Sequence, residues 1–455
     1  MEREASGHAG GRKEDAAGRL ELRRSMGLLP TTALVVGTII GASIFVQPSE
    51  ITALVPDTAG VLAAWTIAGL LTLFGALVCA ELASAMPRTG GVYVFLNESF
   101  SPLAGFLWGW AMFWIMHSGI IAAIAVVFAR YTGHFVPVGD TGVRVIAIGA
   151  ILVLSAINYR GVKQGSTLQT FFTIGKVAAI FLIVAAGFVL GSALPGEVQQ
   201  GAVPAGDGLP PVGPRNFMLA LIAGLFAFGG WHMVTYTAEE TIRPERTIPL
   251  ALMIGIAVVT ACYVALNAVY LYVLPLEQVI TSTRVAADAA DVLVGPGGAA
   301  AISGLVLFSA FGGVNGIILA GPRVYYAMAQ DGVLFRWAAA IHPRFRTPHR
   351  AIVLQAIWAS VLVWTGTYRE IFRRIIFTEW IFFALMAVGL VVLRRRPDYA
   401  PQYRIWGHPI VPAVFVISAA AIVVNRMISE PLESVIGLAL LAAGVPIYYV
   451  WCRRR

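Results

Sequence analysis

Residues 35–48 read VVGTIIGASIFVQP, and residues 225–234 read LFAFGGWHMV. Each stretch lies inside an apolar run long enough to cross a bilayer. Each also gathers small residues where a continuous helix prefers bulk: Gly37, Gly41, Ala42 and Ser43 in the first, Gly229 and Gly230 in the second. A glycine costs about 1 kcal/mol relative to alanine inside a helix, so these clusters are places where a span can unwind. Taken singly, either is equally explained by close helix packing through small residues, as in the small-xxx-small spacing of Gly37 and Gly41. The pair is more specific, because one stretch opens a first group of five apolar runs and the other opens a second group. Interrupted helices at matching positions of two halves point to a binding site at the bilayer midplane.

Composition supports a membrane reading of the whole chain. Of 455 residues, 58% are hydrophobic and 12% charged, whereas a soluble chain carries about 25% charged residues. Twelve spans of about 20 residues need roughly 240 apolar positions, nearly all that the composition supplies. The expected fold class is therefore an all-α integral membrane protein with twelve transmembrane helices. They fall near residues 27–53, 59–86, 101–131, 143–159, 166–192, 215–238, 248–274, 299–329, 350–366, 373–393, 408–427 and 432–452. Residues 1–26 read as a flexible cytoplasmic tail, 27–192 as spans one to five, 215–396 as spans six to ten, and 408–452 as the last two spans. The tail does not read as a signal peptide, since the apolar run after it is too long and lacks a small-residue cleavage pattern.

The chain has 32 Lys and Arg against 24 Asp and Glu. With the amino terminus inside, 23 basic residues fall on the cytoplasmic side, 8 fall outside, and Lys176 lies within span five. That asymmetry places both termini in the cytoplasm and accounts for the basic excess without nucleic acid. The aromatic-interleaved basic stripe of a nucleic-acid binder is absent. Three cysteines, Cys79, Cys262 and Cys452, are too few and too apolar in setting for a disulfide framework or a zinc site. No metal and no cofactor is expected.

A break in span one has directional chemistry. Its first half ends near Ile39 and Ile40 with carbonyls lacking helical partners, and its second half begins near Ala42 to Ile44 with free N–H groups. Helix ends carry about half an elementary charge of each sign, so an anion site lies beside a cation site. Span six adds carbonyls from Phe226 to Gly229. An α-amino acid, with carboxylate and ammonium one carbon apart, uses both poles; a sugar or a plain anion does not.

These segments resemble the amino acid, polyamine and organocation transporter superfamily, particularly its L-amino acid transporter branch. The resemblance covers nearly the whole membrane region. It rests on GTIIGASIFVQP in span one, CAELASAMPRTGGVYVFL after span two, LQTFFTIGKVAAI in span five, FAFGGW with AEETIRPERTIPLA in span six, and GPRVYYAMAQDG closing span eight. It implies a LeuT-like five-plus-five inverted repeat with discontinuous helices one and six, alternating access, and amino acid transport across the cytoplasmic membrane. It further implies that N–H groups of Gly41, Ala42 and Ser43 receive the substrate carboxylate, that carbonyls of Ile39, Phe226 and Gly229 receive the ammonium, and that Phe226 closes over the substrate. Two departures stand out. The family usually has Gly-Ser-Gly where this chain has Gly41-Ala42-Ser43, which brings the Ser43 side chain into a place normally bare. The stretch YTGHFVPVGDTGV, residues 131–143, lacks the cysteine by which animal relatives join a heavy-chain subunit, so no disulfide-linked heavy chain is expected.

Two charges fall within spans. Lys176 sits in FFTIGKVAAIFLIVAAG, where a central lysine costs about 2.5 to 3.5 kcal/mol on insertion scales. It either snorkels toward the cytoplasmic headgroups or, as the resemblance implies, holds the carbonyl ends of span one where relatives of the fold bind sodium. Proton symport and sodium-independent exchange then both stay open. Glu379, in RRIIFTEWIFFALMAVG, either pairs with Arg373 or Arg374, binds a cationic side chain, or carries a proton. Glu239 and Glu240 precede Arg243 and Arg246 at helix-pair spacing, a cytoplasmic gate being the alternative, and Glu81 poses the same choice. His117 and His232 read as hydrogen-bonded core residues, Asn315 and Phe228 as neighbours of the site. Beside the amino acid transporter stand a polyamine or cationic amino acid carrier, a transporter-like sensor, and an intramembrane enzyme. The last lacks HExxH, GxSxG or a paired-carboxylate motif.

Overall fold

In the computed structural model the described residues are 21–41, 43–45, 47–133, 135–192, 213–295 and 297–452. Residues 1–20 of the expected tail therefore lie outside the described residues, as does Ala42. Every regular element among the described residues is helical, and the only β-type pairing is an isolated bridge between Met26 and Thr241.

Nine helical stretches among the described residues are long and apolar enough to cross a membrane: Thr58–Ala85, Pro102–Thr132, Asp140–Arg160, Val162–Gly191, Pro214–Glu240, Pro244–Val273, Gly298–Gln330, Ile410–Ser429 and Pro431–Trp451. They coincide with expected spans two to eight, eleven and twelve. The other three expected spans also meet helices, the first of them broken. Span one is Leu28–Ile39, a 3-10 turn Ser43–Phe45 and the helix Gln47–Leu54; spans nine and ten are His349–Thr365 and Tyr368–Leu393. Additional helices, Val92–Ser99, Leu276–Thr281 and Val285–Val294, occupy segments read from the sequence as connections.

Local chemistry sets several boundaries. The Asp57 carboxylate accepts the Gly60 N–H at 2.7 Å and starts span two, and the Ser101 hydroxyl oxygen accepts the Ala104 N–H ahead of Pro102 to start span three. Span one packs against spans five, seven and eight and against the second half of span six. Glycines permit that approach. A Cβ on Gly37 would lie 2.0 Å from Gln169 Nε2 on span five, and one on Gly316 would lie 2.8 Å from Thr38 Cγ2. Gly37 thus serves helix packing, whereas Gly41, with nothing nearer than 4.0 Å, lies in the break.

Candidate functional site

Span one loses its helix at Ile40, whose ψ of 93° ends Leu28–Ile39. Span six loses its helix after Ala227 and resumes as the 3-10 helix Trp231–Glu240. The chain turns at Gly230, in the left-handed region at φ 103°, where a Cβ would lie 2.9 Å from the Thr38 carbonyl oxygen. Only glycine fits both that dihedral and that approach. The two breaks are tied together. The Thr38 hydroxyl lies 3.2 Å from the Gly230 carbonyl, and the Tyr263 hydroxyl of span seven lies 3.1 Å from the Ile39 carbonyl and 3.2 Å from that of Ala227.

A cavity of about 210 Å³ sits at this crossing. Thr38, Ile39, Gly41 and Ser43 line it from span one, Phe226, Gly229, Gly230 and Trp231 from span six, Ile120 and Ile124 from span three, Ile317 from span eight, and Glu379, Trp380 and Phe383 from span ten. Phe226 and Trp380 also line a larger cavity of about 470 Å³ that reaches Gln47, Glu50, Arg426 and Glu430. Those two aromatics therefore form the partition between the two spaces.

The other expected site residues are placed differently. Ile44 and Phe228 are buried, and Phe228 packs on Tyr263 and Trp65, so neither side chain faces the cavity. Asn315 does not line it either. Its amide donates to Gln169 Oε1 and to the Gly165 carbonyl and accepts from Asn158, which commits it to a buried network joining spans four, five and eight. On the far side of the break in span one, a three-residue 3-10 turn, Ser43–Phe45, precedes the regular helix Gln47–Leu54.

Lys176 is buried, and its Nζ donates to the carbonyls of Ile40 at 2.7 Å, Gly37 at 3.2 Å and Ser309 at 3.3 Å. Three N–H bonds thus meet three carbonyls, two of them at the end of the first half of span one. The ammonium points inward rather than to the headgroups. Glu379 faces the cavity, 3.5 Å from His232 Nε2; the side chains of Arg373 and Arg374 lie outside the described residues. His232, read as an ordinary core histidine, is thus a site neighbour that sequence reasoning passed over. Tyr263 was missed as well, although a tyrosine in the middle of an apolar span signals a hydroxyl that must find a partner.

One end of the bundle is closed by buried polar ties. The Arg323 guanidinium makes a bidentate pair with Glu240, both side chains fully buried. The Ser25 and Met26 N–H groups donate to the Glu240 carbonyl, and the Ile242 N–H donates to that of Met26. Arg394 makes a bidentate pair with Glu81, whose Oε2 also accepts the Ile405 N–H. Glu240 and Glu81 are therefore bound to spans eight and ten, correcting the local pairing of Glu240 with Arg243 and Arg246; Glu239 accepts the Thr89 N–H. Among the described residues no group of His, Cys, Asp and Glu is arranged to hold a metal ion.

A small cavity at the crossing of two interrupted helices, within a bundle of apolar spans, defines the chain as a multi-pass membrane carrier. The amino acid permease family matches residues 26–450, and the chain belongs to that family. It is 31% identical over 438 residues to the serine/threonine exchanger SteT of Bacillus subtilis (strain 168), covering 95% of this chain and 98% of that protein. The cystine/glutamate transporter of Homo sapiens is 30% identical over 441 residues, covering 95% of this chain and 86% of the relative. The Asc-type amino acid transporter 1 of Mus musculus is 30% identical over 451 residues, covering 96% and 82%. These relatives are amino acid transporters and exchangers, in agreement with the transport function drawn from the sequence motifs.

Proposed function

We propose that this permease carries zwitterionic α-amino acids across the cytoplasmic membrane by alternating access and without sodium. The crossing of the two breaks at one cavity carries this reading. The substrate carboxylate takes the N–H groups of Gly41, Ala42, Ser43 and Ile44, and its ammonium takes carbonyls of Ile39, Phe226 and Gly229. The Ile39 carbonyl already faces the Tyr263 hydroxyl and the Phe226 carbonyl already accepts the Gly229 N–H; each carbonyl oxygen has two lone pairs, so a second donor is accommodated. The cavity, about 210 Å³, is smaller than the roughly 300–1,000 Å³ of drug-sized sites, which suits a single amino acid. Ile120, Ile124, Ile317 and Phe383 supply an apolar wall that favours neutral side chains.

Lys176 stands where a coupling cation would otherwise hold the carbonyl ends of span one, which makes sodium unnecessary. Twelve crossings in a five-plus-five inverted repeat, both termini cytoplasmic, put the Arg323–Glu240 and Arg394–Glu81 ties on the cytoplasmic side and the larger cavity on the outside. Phe226 is then an outer lid. No disulfide-linked heavy chain is needed. Glu379 in the cavity wall is the observation that favours the second reading, a cationic amino acid or polyamine carrier. Uptake of labelled amino acids into proteoliposomes in sodium-free buffer, with competition by the common amino acids and polyamines, tests both. Saturable uptake, stimulated by amino acid inside the vesicles and competed by neutral amino acids, is expected; a strict sodium requirement or flux of no amino acid overturns the proposal, and competition by polyamines alone supports the second reading.

A further inference from the structure

We infer that Glu379 and His232 form a proton-binding dyad at the wall of the substrate cavity, so that each substrate molecule crosses the membrane together with one proton. This rests on the transport reading above and adds the identity of the coupling site. The Glu379 carboxylate lies 3.5 Å from His232 Nε2; the His232 side chain is fully buried and that of Glu379 is 11% exposed, its access being to the cavity.

Among the described residues the groups around the dyad offer it no fixed cation. Span two presents Cys79, span three His117 and Trp108, span six Tyr236, and span eight Tyr325, all buried. On span eleven Arg426 is engaged by Glu430, and on span five Lys176 is engaged by carbonyls. The Arg323 and Arg394 side chains are held by Glu240 and Glu81. Without a proton the dyad would place one net negative charge in a low-dielectric wall, a costly arrangement unless compensated. One proton, on either partner, makes it neutral overall.

Three buried ring nitrogens at and behind the dyad, His232 Nδ1, His232 Nε2 and His117 Nε2, have no hydrogen-bond partner, while His117 Nδ1 lies 2.9 Å from the Tyr325 hydroxyl. Unsatisfied polar atoms this deep are rare in native proteins and call for a functional reason. Here they are neutral imidazole and phenol groups, so the surroundings of the dyad supply no charge that could stand in for the proton.

Coupling follows from the shared wall. With the cavity empty, water reaches Glu379 and screens its charge. A bound amino acid expels that water and raises the cost of the unprotonated dyad, so proton and substrate favour each other's binding, and the effect is reciprocal. Because the cavity opens to one side at a time, the proton is taken up from the side that delivers the substrate and released with it.

The test uses the purified full chain in proteoliposomes enclosing a pH-sensitive dye. Wild-type protein is expected to acidify the lumen when substrate is added outside. An inward proton gradient is expected to drive accumulation, and the apparent KM is expected to fall by up to about tenfold per pH unit on acidification across the titration range. In Glu379→Gln and His232→Asn the proton signal and the pH dependence of KM are lost, with thermal melting and gel filtration confirming a folded variant. If wild-type protein exchanges amino acids but moves no proton and ignores the gradient, the dyad is overturned while the transport reading stands. If it moves no amino acid at all, both fall. Folded variants that keep the proton signal overturn the dyad, and should either fail to fold, Glu379→Asp or His232→Gln takes its place.

Discussion

Lys176 donates to the carbonyls of Gly37, Ile40 and Ser309 from a fully buried position. Removing it leaves three carbonyls without that partner, and an unsatisfied buried polar group costs about 1–3 kcal/mol. Lys176→Ala is therefore expected to lower uptake at least about tenfold while the protein still inserts, and Lys176→Arg is not expected to restore it, because a planar fork cannot reproduce a compact three-donor ammonium. Uptake and gel filtration of the two variants check this; wild-type uptake by Lys176→Ala removes the residue from the mechanism. Lys176 was legible in the sequence because a lysine surrounded by apolar residues has few explanations. Its partner carbonyls were only half legible, since the share taken by Ser309 depends on how span eight packs. The His232 contact to Glu379 was not legible: the two lie on different spans, and a lone histidine carries no mark of the carboxylate that folding brings to it.

The two interrupted helices divide the glycines by task. Gly37 is packed against Gln169, which cannot simply withdraw because its Oε1 accepts the Asn315 amide. Gly41 has open space at the cavity. Gly37→Ala is expected to overpack the contact between spans one and five, at a cost of about 1–3 kcal/mol, and to lower the melting temperature. Gly41→Ala is expected to melt like the wild type yet lose about tenfold in uptake, because the added methyl intrudes between the anion and cation poles. Melting curves and uptake on both variants separate the two roles; identical behaviour contradicts the division. Clusters of small residues marked both breaks in the sequence, but could not say which glycine unwinds the helix and which lets a neighbour approach. That depends on tertiary contacts such as the one at Gly37. The same limit explains Asn315, which looked like a site neighbour by its place among glycines and is instead consumed by Asn158, Gly165 and Gln169.

Across the bundle, polar closure at one end contrasts with a larger cavity beyond Phe226 and Trp380 toward the other. Glu240 joins spans six and eight through Arg323, and its carbonyl joins the segment leading into span one. Breaking a buried ion pair by removing one partner costs roughly 3–5 kcal/mol, so Glu240→Gln is expected to free the first half of span one. Hydrogen exchange of the Leu28–Ile39 amides should rise in that variant, and unchanged protection would show that the tie does not hold the closed end. The apolar runs and the basic asymmetry made the membrane architecture readable from composition. The pairing of Glu240 across spans was not, because the nearer Arg243 and Arg246 fit helix spacing just as well. The central claim is that one substrate uses both poles of the paired breaks. It is tested most directly by competing labelled amino acid uptake with the same amino acid, its decarboxylated amine and its deaminated acid. The expected result is competition by the intact amino acid alone, whereas an amine or acid that competes as well as the parent would contradict the two-pole site.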